Sequence, residues 1–342
     1  MTTKTCISCE LTKDKGDFDK DRNQCKVCCY RVKKNRINSK PISYLSTLLA
    51  SAKNHSKLRV KNGKLVAGEC SLVLEDLNDL YKEQDGKCYY TKLPLVLRQL
   101  SDWSCSLERK DPSRGYVHGN VALIVTEFQG ACQWTPEKYD EFVRLVNMEH
   151  DRQVIEWCPP KDERRTRQKL IRSDTECRCN KCGETKNLDQ FFGVSYNKCK
   201  ECYVKYRANF NSTPHGHMQR LFTSMKSSSN RRNNKCNRNH SPPELTVDDL
   251  IKLFESQGGL CAYSGIPMTF GSYREKWWTC STERKDVNKG YTKENVCLTC
   301  FEFNTMDHTS RAGDINDVKG SPAWTVEKMQ FIKQHIQTMM VR

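Results

Sequence analysis

The chain has 342 residues, and its 57 Lys and Arg residues exceed its 41 Asp and Glu residues, which gives a formal net charge of +16. This length accommodates two domains of ordinary size. The charge favours a polyanionic partner, most often nucleic acid, although a soluble basic protein without such a partner has the same balance. No run approaches the roughly 18 apolar residues of a membrane span, so we expect no membrane association.

Cysteine is abundant, with 20 residues in the chain. Because no apolar leader precedes Cys6, the pattern disfavours a secreted disulfide framework and favours metal ligation. We therefore expect an intracellular protein in a reducing compartment, the cytoplasm or the nucleus.

The order of motifs in the first half of the chain is repeated in the second half. Residues 106–121 and 281–296 are identical at nine of sixteen positions. Two Cys-x2-Cys pairs precede each stretch, and a Trp-Thr-x-Glu-Lys segment follows each, at Trp134 and Trp324. A duplication of this kind predicts a monomer with internal pseudo-two-fold symmetry.

Each copy begins with a four-cysteine module. The two Cys-x2-Cys pairs are separated by 15 residues in the first copy and by 16 in the second. Two turns that each offer a pair of thiolates supply the tetrahedral ligands of a structural zinc ion, whose charge compensates the thiolates. We predict at least two zinc ions, with the ligands Cys6, Cys9, Cys25 and Cys28 in the first module and Cys179, Cys182, Cys199 and Cys202 in the second.

Basic residues with interleaved tyrosines follow each module. They are Arg31, Lys33, Lys34 and Arg36 after the first module, and Lys205 and Arg207 after the second. Such a pattern is typical of a DNA-binding helix laid on a phosphate backbone, and also of a solvated helix face. Residues 41–60 and 214–238 then predict strongly basic helices, the second of them partly a loop.

The next elements are predicted from apolar periodicity and capping signals. Apolar residues at helical spacing predict core helices over 74–84 and from 247 onward, each ended by glycine. Thr135 and Pro136 provide the N-cap and first-turn proline of a further helix, and a C-terminal helix is expected over 325–340.

Between these helices lies the most similar part of the two copies. In the first copy we expect a strand from Trp103 to Glu108, a loop, a strand over 121–125, and a helix that begins near Glu127. The second copy repeats this plan from Trp278, with its helix near Glu302. The plan brings together Glu108, Asn120 and Gln129 in the first copy, and Glu283, Asn295 and Asn304 in the second. Carboxylate and amide oxygens of this kind suit a hard cation such as magnesium.

These residues resemble the ββα-metal, or HNH (His-Me finger), endonuclease superfamily. An acid beside a basic residue is followed by Asn after 12 positions and by an amide residue 9 further on, in both halves. The four-cysteine modules resemble those of phage recombination endonuclease VII-like proteins, and the whole series looks like HNH proteins of phages and large viruses. The resemblance implies Mg²⁺- or Mn²⁺-dependent cleavage of DNA phosphodiester bonds, as in homing or restriction enzymes.

Position by position, the resemblance also implies individual roles. Glu108 and Glu283 match the acidic metal ligand, Gln129 and Asn304 match the second metal ligand, and Asn120 and Asn295 match the Asn that orients the catalytic loop. Arg109 and Arg284 stand where the family usually has its histidine base. An arginine stays protonated, so it is expected to hold the scissile phosphate instead of removing a proton.

Three alternatives stay open at this point. A tyrosine could replace the missing base, with Tyr90 and Tyr263 as candidates beside Tyr116 and Tyr291, or these rings could be core residues. His118 is nearby only in the first copy. A further zinc site could form from Cys261, Cys280, Cys297 and Cys300, or these could be small core residues.

The prediction is therefore an α+β protein of small zinc-stabilised modules, with two tandem ββα-metal domains that each follow a zinc module. The expected boundaries are 1–40 for zinc module 1, 41–150 for the first ββα-metal domain, 151–176 for a charged linker, 177–210 for zinc module 2 and 211–342 for the second ββα-metal domain. The predicted function is a single-chain, pseudo-dimeric endonuclease on double-stranded DNA. The main alternative is a zinc-containing nucleic-acid-binding protein with degenerate nuclease sites.

Overall fold

A computed structural model describes residues 3–99, 101–129, 132, 134–157, 172–193, 196–236, 243–286, 289–304 and 324–340. The chain folds into two compact units, which divide between Tyr139 and Asp140. The finer five-part division expected from the sequence stays a prediction. Among the helices that the structure describes, none combines the length and apolarity needed to cross a bilayer.

Unit 1 is an α+β assembly of short antiparallel hairpins and helices. Its elements are β1 (Thr3–Thr5), β2 (Thr12–Asp14), α1 (Lys26–Asn38), α2 (Pro41–Lys61), α3 (Leu74–Glu83), β3 (Cys105–Arg109) and β4 (Val121–Val125). The helix α4 (Pro136–Val146) contains the division between the units. Its N-terminus is capped as predicted, since the Lys138 amide donates to Thr135 Oγ1 at 3.3 Å.

Unit 2 repeats the same order of elements. They are β5 (Glu176–Arg178), β6 (Thr185–Asn187), α5 (Lys200–Ser212), α6 (Pro214–Cys236), α7 (Val247–Ser256), β7 (Cys280–Arg284), β8 (Val296–Cys300) and α8 (Val326–Met340). The helix α6 is continuous through 227–234, where the sequence favoured a partial loop. The predicted helices α2, α3, α7 and α8 are confirmed to within a residue or two.

The two central hairpins have identical registers. In β3–β4, Cys105 pairs with Val125 and Arg109 with Val121, and in β7–β8 Cys280 pairs with Cys300. The strands begin at the cysteines, two residues later than predicted. The reason is that Trp103 and Trp278, which precede them, have positive φ values of 59° and 60° and lie in turns.

The helices expected near Glu127 and Glu302 are a second correction. Each is a single 3₁₀ turn, Thr126–Gln129 and Phe301–Phe303. In the second copy, the residue that follows the turn is Asn304, whose backbone is extended, with φ −70° and ψ 120°. The helical conformation therefore ends there. The carboxylates of Glu127 and Glu302 anchor these turns by accepting the amides of Trp103 and Trp278 at 3.0 and 3.2 Å.

Aromatic residues pack against these turns and form the cores. In unit 1, Phe128 and Trp134 are both 1% exposed, with ring centroids 4.6 Å apart. In unit 2, Phe303 packs on Trp324 at 5.2 Å and on Phe142 of α4 at 5.5 Å. The hydrophobic free energy gained by burying such large rings holds each hairpin against its helices.

Part of the predicted charged linker packs on unit 2. Gln153 Nε2 donates to the carbonyl oxygen of Gly259 at 2.7 Å, and the Trp157 ring meets Phe254 and Phe270 at 5.5 and 5.9 Å. The charged run 161–169 of this linker lies outside the described residues.

Candidate functional site: two cysteine clusters and two buried carboxylates

The eight predicted zinc ligands form two clusters. The ligand atoms of Cys6, Cys9, Cys25 and Cys28 lie within 4.8 Å of one another, and so do those of Cys179, Cys182, Cys199 and Cys202. Tetrahedral Zn–S bonds of about 2.3 Å place the sulfurs about 3.8 Å apart, and Cys9 Sγ lies 4.0 Å from Cys25 Sγ. These groups could therefore hold two zinc ions, as the sequence predicts.

The electrostatics of the first cluster fit a cation. The amide of Cys25 donates to Cys6 Sγ at 3.2 Å, and this contact lowers the pKa of Cys6 to about 6. Burial and the neighbouring Cys25 thiol raise the pKa of Cys28 to about 12. Four thiolates cannot all ionise together without a positive charge between them, which a zinc ion supplies.

The third cysteine set does not assemble in the same way. Cys261, Cys280, Cys297 and Cys300 are all buried, but among the described residues only the two module clusters bring three or more ligands together. Strand alternation explains this result, because Cys297 and Cys300 are three positions apart on β8 and face opposite sides. Cys280 is paired with Cys300 in register, and the Cys300 amide donates to Cys261 Sγ at 3.3 Å.

The first predicted magnesium site brings Glu108 and Gln129 into contact. Glu108 is 9% exposed at the end of β3, and Gln129 Nε2 donates to its Oε2 at 3.1 Å and to the Leu107 carbonyl oxygen at 2.8 Å. The carbonyl oxygen of Gln129 accepts a hydrogen bond from Ser106 Oγ. In this arrangement Gln129 presents an N–H group to the carboxylate rather than an oxygen to a cation.

The second site differs at the amide residue. Glu283 is 5% exposed, and Asn304 Nδ2 donates to the carbonyl oxygen of Thr282 at 2.9 Å and to Ser281 Oγ at 2.6 Å. Within the described part of the chain, Asn304 makes its side-chain hydrogen bonds through Nδ2 alone. Its Oδ1 is therefore better suited to a hard cation than the engaged oxygen of Gln129.

The asparagine shared by both motifs, Asn120 or Asn295, organises the loop after the first strand. Asn120 Nδ2 donates to the carbonyl oxygens of Asp111 and Gly115 at 3.1 and 2.8 Å, and Asn120 Oδ1 accepts from the Asp111 amide at 3.0 Å. Asn295 makes the same three contacts to its own loop at 3.0, 2.8 and 2.8 Å. Both are buried, and each links the start of its loop to the glycine at the turn.

The arginines at the position of the family's base also bind this loop. Arg109 donates through one guanidinium nitrogen to the carbonyl oxygens of Pro112 at 2.6 Å and Arg114 at 2.8 Å. Arg284 does the same to Lys289 at 3.0 Å, and it is only 5% exposed. Each guanidinium lies 5.5 Å from a tyrosine ring centroid, that of Tyr116 or Tyr291. Burial lowers the pKa of Arg109, and the charge of Arg59 lowers it further.

The candidate catalytic tyrosines lie close to the carboxylates but are poor bases. Tyr90 is 7% exposed, and its hydroxyl donates to the Trp134 carbonyl oxygen at 2.9 Å. Burial and the nearby charge of Glu108 raise the pKa of Tyr90 above its ordinary value, and burial with Glu283 does the same to the pKa of Tyr263. Burial and the neighbouring carboxylate thus both favour the protonated phenol. Neither Tyr90 nor Tyr263 is therefore supported as a phenolate base.

His118 contacts the N-terminus of α3. Its Nε2 is 3.4 Å from Asp76 Oδ2 at the N-terminus of α3. The equivalent Lys293 makes the matching ion pair with Asp249 at 2.8 Å. Both residues therefore join the hairpin loop to a helix.

Sequence reasoning missed two positioning residues, Gln84 and its equivalent Gln257. Gln84 donates to the Leu123 carbonyl oxygen and accepts from its amide, at 2.8 and 2.9 Å, which fastens α3 to the middle of β4. Gln257 makes the same two contacts with Leu298, both at 2.9 Å. The signal was present, since a Gln-x-Gly-x-Cys pattern occurs in both halves.

The predicted DNA-binding residues lie on two exposed helices. Arg31, Lys33 and Arg36 are exposed on α1, and Lys34 is half-buried. Lys205 and Arg207 are exposed on α5, where Lys205 pairs with Glu201 at 2.8 Å. Exposure agrees with both interpretations of this pattern, a phosphate-binding surface and a solvated face.

No family model matches the chain, and no curated protein or solved structure matches it.

Proposed function

We propose that the chain is a divalent-metal-dependent DNA endonuclease, in which one polypeptide carries two hairpin sites for the two strands of a duplex. The observation that carries the proposal is the duplicated buried carboxylate, Glu108 and Glu283, at the end of each first strand. In each copy an amide side chain that follows the second strand donates to the carbonyl oxygen of the residue before the carboxylate, Gln129 to Leu107 and Asn304 to Thr282. Carboxylate and amide oxygens are the donor set that magnesium prefers.

The residues around each carboxylate would have separate tasks. Glu283 and Asn304 would hold Mg²⁺ or Mn²⁺ in unit 2, and Glu108 with a reoriented Gln129 would do so in unit 1. Such a cation stabilises the charge on a phosphate and on its leaving oxygen. Asn120 and Asn295 hold the loop in shape, and Arg109 and Arg284 place a fixed positive charge in it.

Basic groups beside the hairpin of unit 1 support a nucleic-acid substrate. A cleft of about 370 Å³ beside α1 is lined by Lys33 and Lys34 together with apolar and neutral residues such as Tyr30, Ile37 and Thr126. Lysines attract phosphates without regard to sequence, so these two would contact a DNA backbone. Together with the net charge of +16, they favour DNA over a neutral substrate.

One observation favours the second candidate, a zinc-containing nucleic-acid-binding protein without activity. Both positions of the family's base hold arginines that bind loop carbonyls. Binding of DNA without cleavage would support this candidate.

The test is nicking of supercoiled plasmid by the zinc-loaded full-length chain, with Mg²⁺ or Mn²⁺ added or omitted. We expect cutting only with added metal. Glu283→Ala should convert double-strand cuts into nicks, and Glu108→Ala with Glu283→Ala should reduce all cutting at least about 100-fold, as loss of a catalytic charge does. Glu294→Ala is the matched control, because this glutamate is exposed in the loop between β7 and β8.

Two results would overturn the proposal. One is a wild-type chain that binds the plasmid but leaves it intact with either metal. The other is a double variant that cuts as well as Glu294→Ala. Zinc content and thermal unfolding of each variant separate loss of activity from loss of fold.

A further inference from the structure

Zinc module 2 carries a group of exposed aromatic rings that the proposed function does not use. Phe192 is 51% exposed, Tyr206 is 45% exposed and Tyr196 is 36% exposed, although large rings usually lie in a core. With the half-buried Tyr203, these four residues form what we call the aromatic platform.

Three rings of the platform hold one another in place. The ring centroid of Phe192 lies 6.0 Å from that of Tyr196 and 5.2 Å from that of Tyr203, and those of Tyr196 and Tyr203 are 5.4 Å apart. All three pairs are edge-to-face, an arrangement that aromatic quadrupoles favour. These three rings are therefore preorganised, which reduces the entropy lost when a ligand binds. Tyr206 follows Tyr203 by one turn of α5 and stacks on Phe210 at 6.3 Å.

Positive charges lie over the same rings. Lys198 Nζ is 3.9 Å from the centroid of Tyr206, and Lys200 Nζ is 5.9 Å from that of Phe192. Two of the acids on this module form ion pairs with other lysines, Glu201 with Lys205 at 2.8 Å and Glu184 with Lys186 at 2.9 Å. The charge beside the platform is positive, so an anionic ligand suits it better than an apolar protein segment.

The first module lacks the platform. The register of the cysteines aligns Phe192 with Asp19, Tyr196 with Arg22, Tyr203 with Cys29 and Tyr206 with Val32. In the first module Arg22 donates to Cys29 Sγ at 3.7 Å, where the second module has its tyrosine pair. The rings are therefore not required for the four-cysteine fold.

We propose that the aromatic platform binds unpaired nucleotides of a single-stranded nucleic acid, with bases stacked on Phe192 and Tyr206 and phosphates near Lys198 and Lys200. Stacking requires an open base face, which a duplex covers with its neighbouring bases. Rings flanked by lysines offer both the stacking surface and the charge for the backbone. The proposal shares with the proposed function only the premise that nucleic acid is the partner.

The experiment measures binding of the zinc-loaded full-length chain, without Mg²⁺ or Mn²⁺, to a labelled 15-nucleotide thymidine oligonucleotide and to an abasic strand of equal length. We expect wild type to bind the oligonucleotide about 10-fold or more above the abasic strand, because stacking on one ring contributes about that factor per base. Phe192→Leu with Tyr206→Leu should remove this preference and leave abasic binding unchanged. Leucine keeps apolar volume at both positions, and zinc content checks the module.

The control is Phe331→Leu, since Phe331 is 46% exposed on α8, outside both cysteine modules. It should retain the wild-type preference. Equal affinity of wild type for both strands would overturn the proposal, and so would an equal loss in Phe331→Leu. A chain that prefers the thymidine strand but does not nick plasmid would support the platform and contradict only the nuclease.

Discussion

The stability of unit 2 should depend on the protonation of one buried histidine, His217. Its side chain is 0% exposed, and its Nδ1 accepts from the Gly271 amide and from Arg220, both at 3.1 Å. Because Nδ1 is an acceptor, Nε2 carries the proton and donates to the Cys280 carbonyl oxygen at 2.8 Å. A second proton would have to enter Nδ1 against two donors, one of them charged.

These contacts set the size and sign of the change in unfolding free energy with pH. Burial, followed by the Arg220 charge, lowers the pKa of His217 from 6.5 to about 4. The unfolded chain therefore takes up the proton first as pH falls. The stabilisation is complete above pH 6.5 and is lost between there and pH 4, which amounts to about 3 kcal/mol of unfolding free energy.

The assay compares wild type with His217→Gln by urea unfolding at several values between pH 7 and pH 4, followed by hydrogen exchange in β7 and β8. Glutamine offers an amide N–H in place of the Nε2–H group but does not titrate in this range. We expect the variant to be less stable at pH 7 and to lose about 3 kcal/mol less than wild type by pH 4. Acid release of zinc affects both chains equally, so a constant difference across the range would refute the reasoning.

Two further predictions concern the loops and the modules. Asn120→Ala and Asn295→Ala each remove three hydrogen bonds from a buried side chain and should cost about 2–4 kcal/mol of stability in thermal unfolding. The exposed Asn147→Ala should change stability by less than about 0.5 kcal/mol, and an equal effect in all three would count against the loop role. Cys28→Ser should release one of two bound zinc ions, measured by metal analysis, whereas Cys29→Ser should keep both. Three zinc ions in wild type would instead point to the cysteines of β7 and β8.

The cysteine spacing and the repeat predicted much of the fold. The clusters form as expected because ligand spacing on two turns is a local property. The helices α3 and α7 were predicted because their apolar stripes and glycine ends are also local. The paired registers of the two hairpins follow from the same repeat.

The sequence was less informative where a tertiary contact decides the local structure. The turns at Glu127 and Glu302 end after one 3₁₀ turn because each carboxylate binds a tryptophan amide 24 residues earlier in the chain. The role of His217 was also hidden, since its equivalent is Tyr44, whose hydroxyl donates to the Cys105 carbonyl oxygen at 2.7 Å. Two chemically different side chains thus donate to equivalent carbonyl oxygens. Aligning the two halves of the sequence by identical residues does not reveal this shared role.

The differences between the copies are as informative as their identities. Residues that shape the backbone, such as Asn120 with Asn295 and Gln84 with Gln257, make the same hydrogen bonds in both units. The amide that follows the second strand differs, being Gln129 in one copy and Asn304 in the other. A buried carboxylate in each hairpin can serve the scaffold alone, as Glu127 and Glu302 do when they accept tryptophan amides. Glu108 and Glu283 lie instead at the end of the first strand, beside a loop that Asn120 or Asn295 holds with the same three hydrogen bonds. Under the proposed function this placement gives each unit one carboxylate and one ordered loop, and the differing amides would give the two units unequal metal affinity.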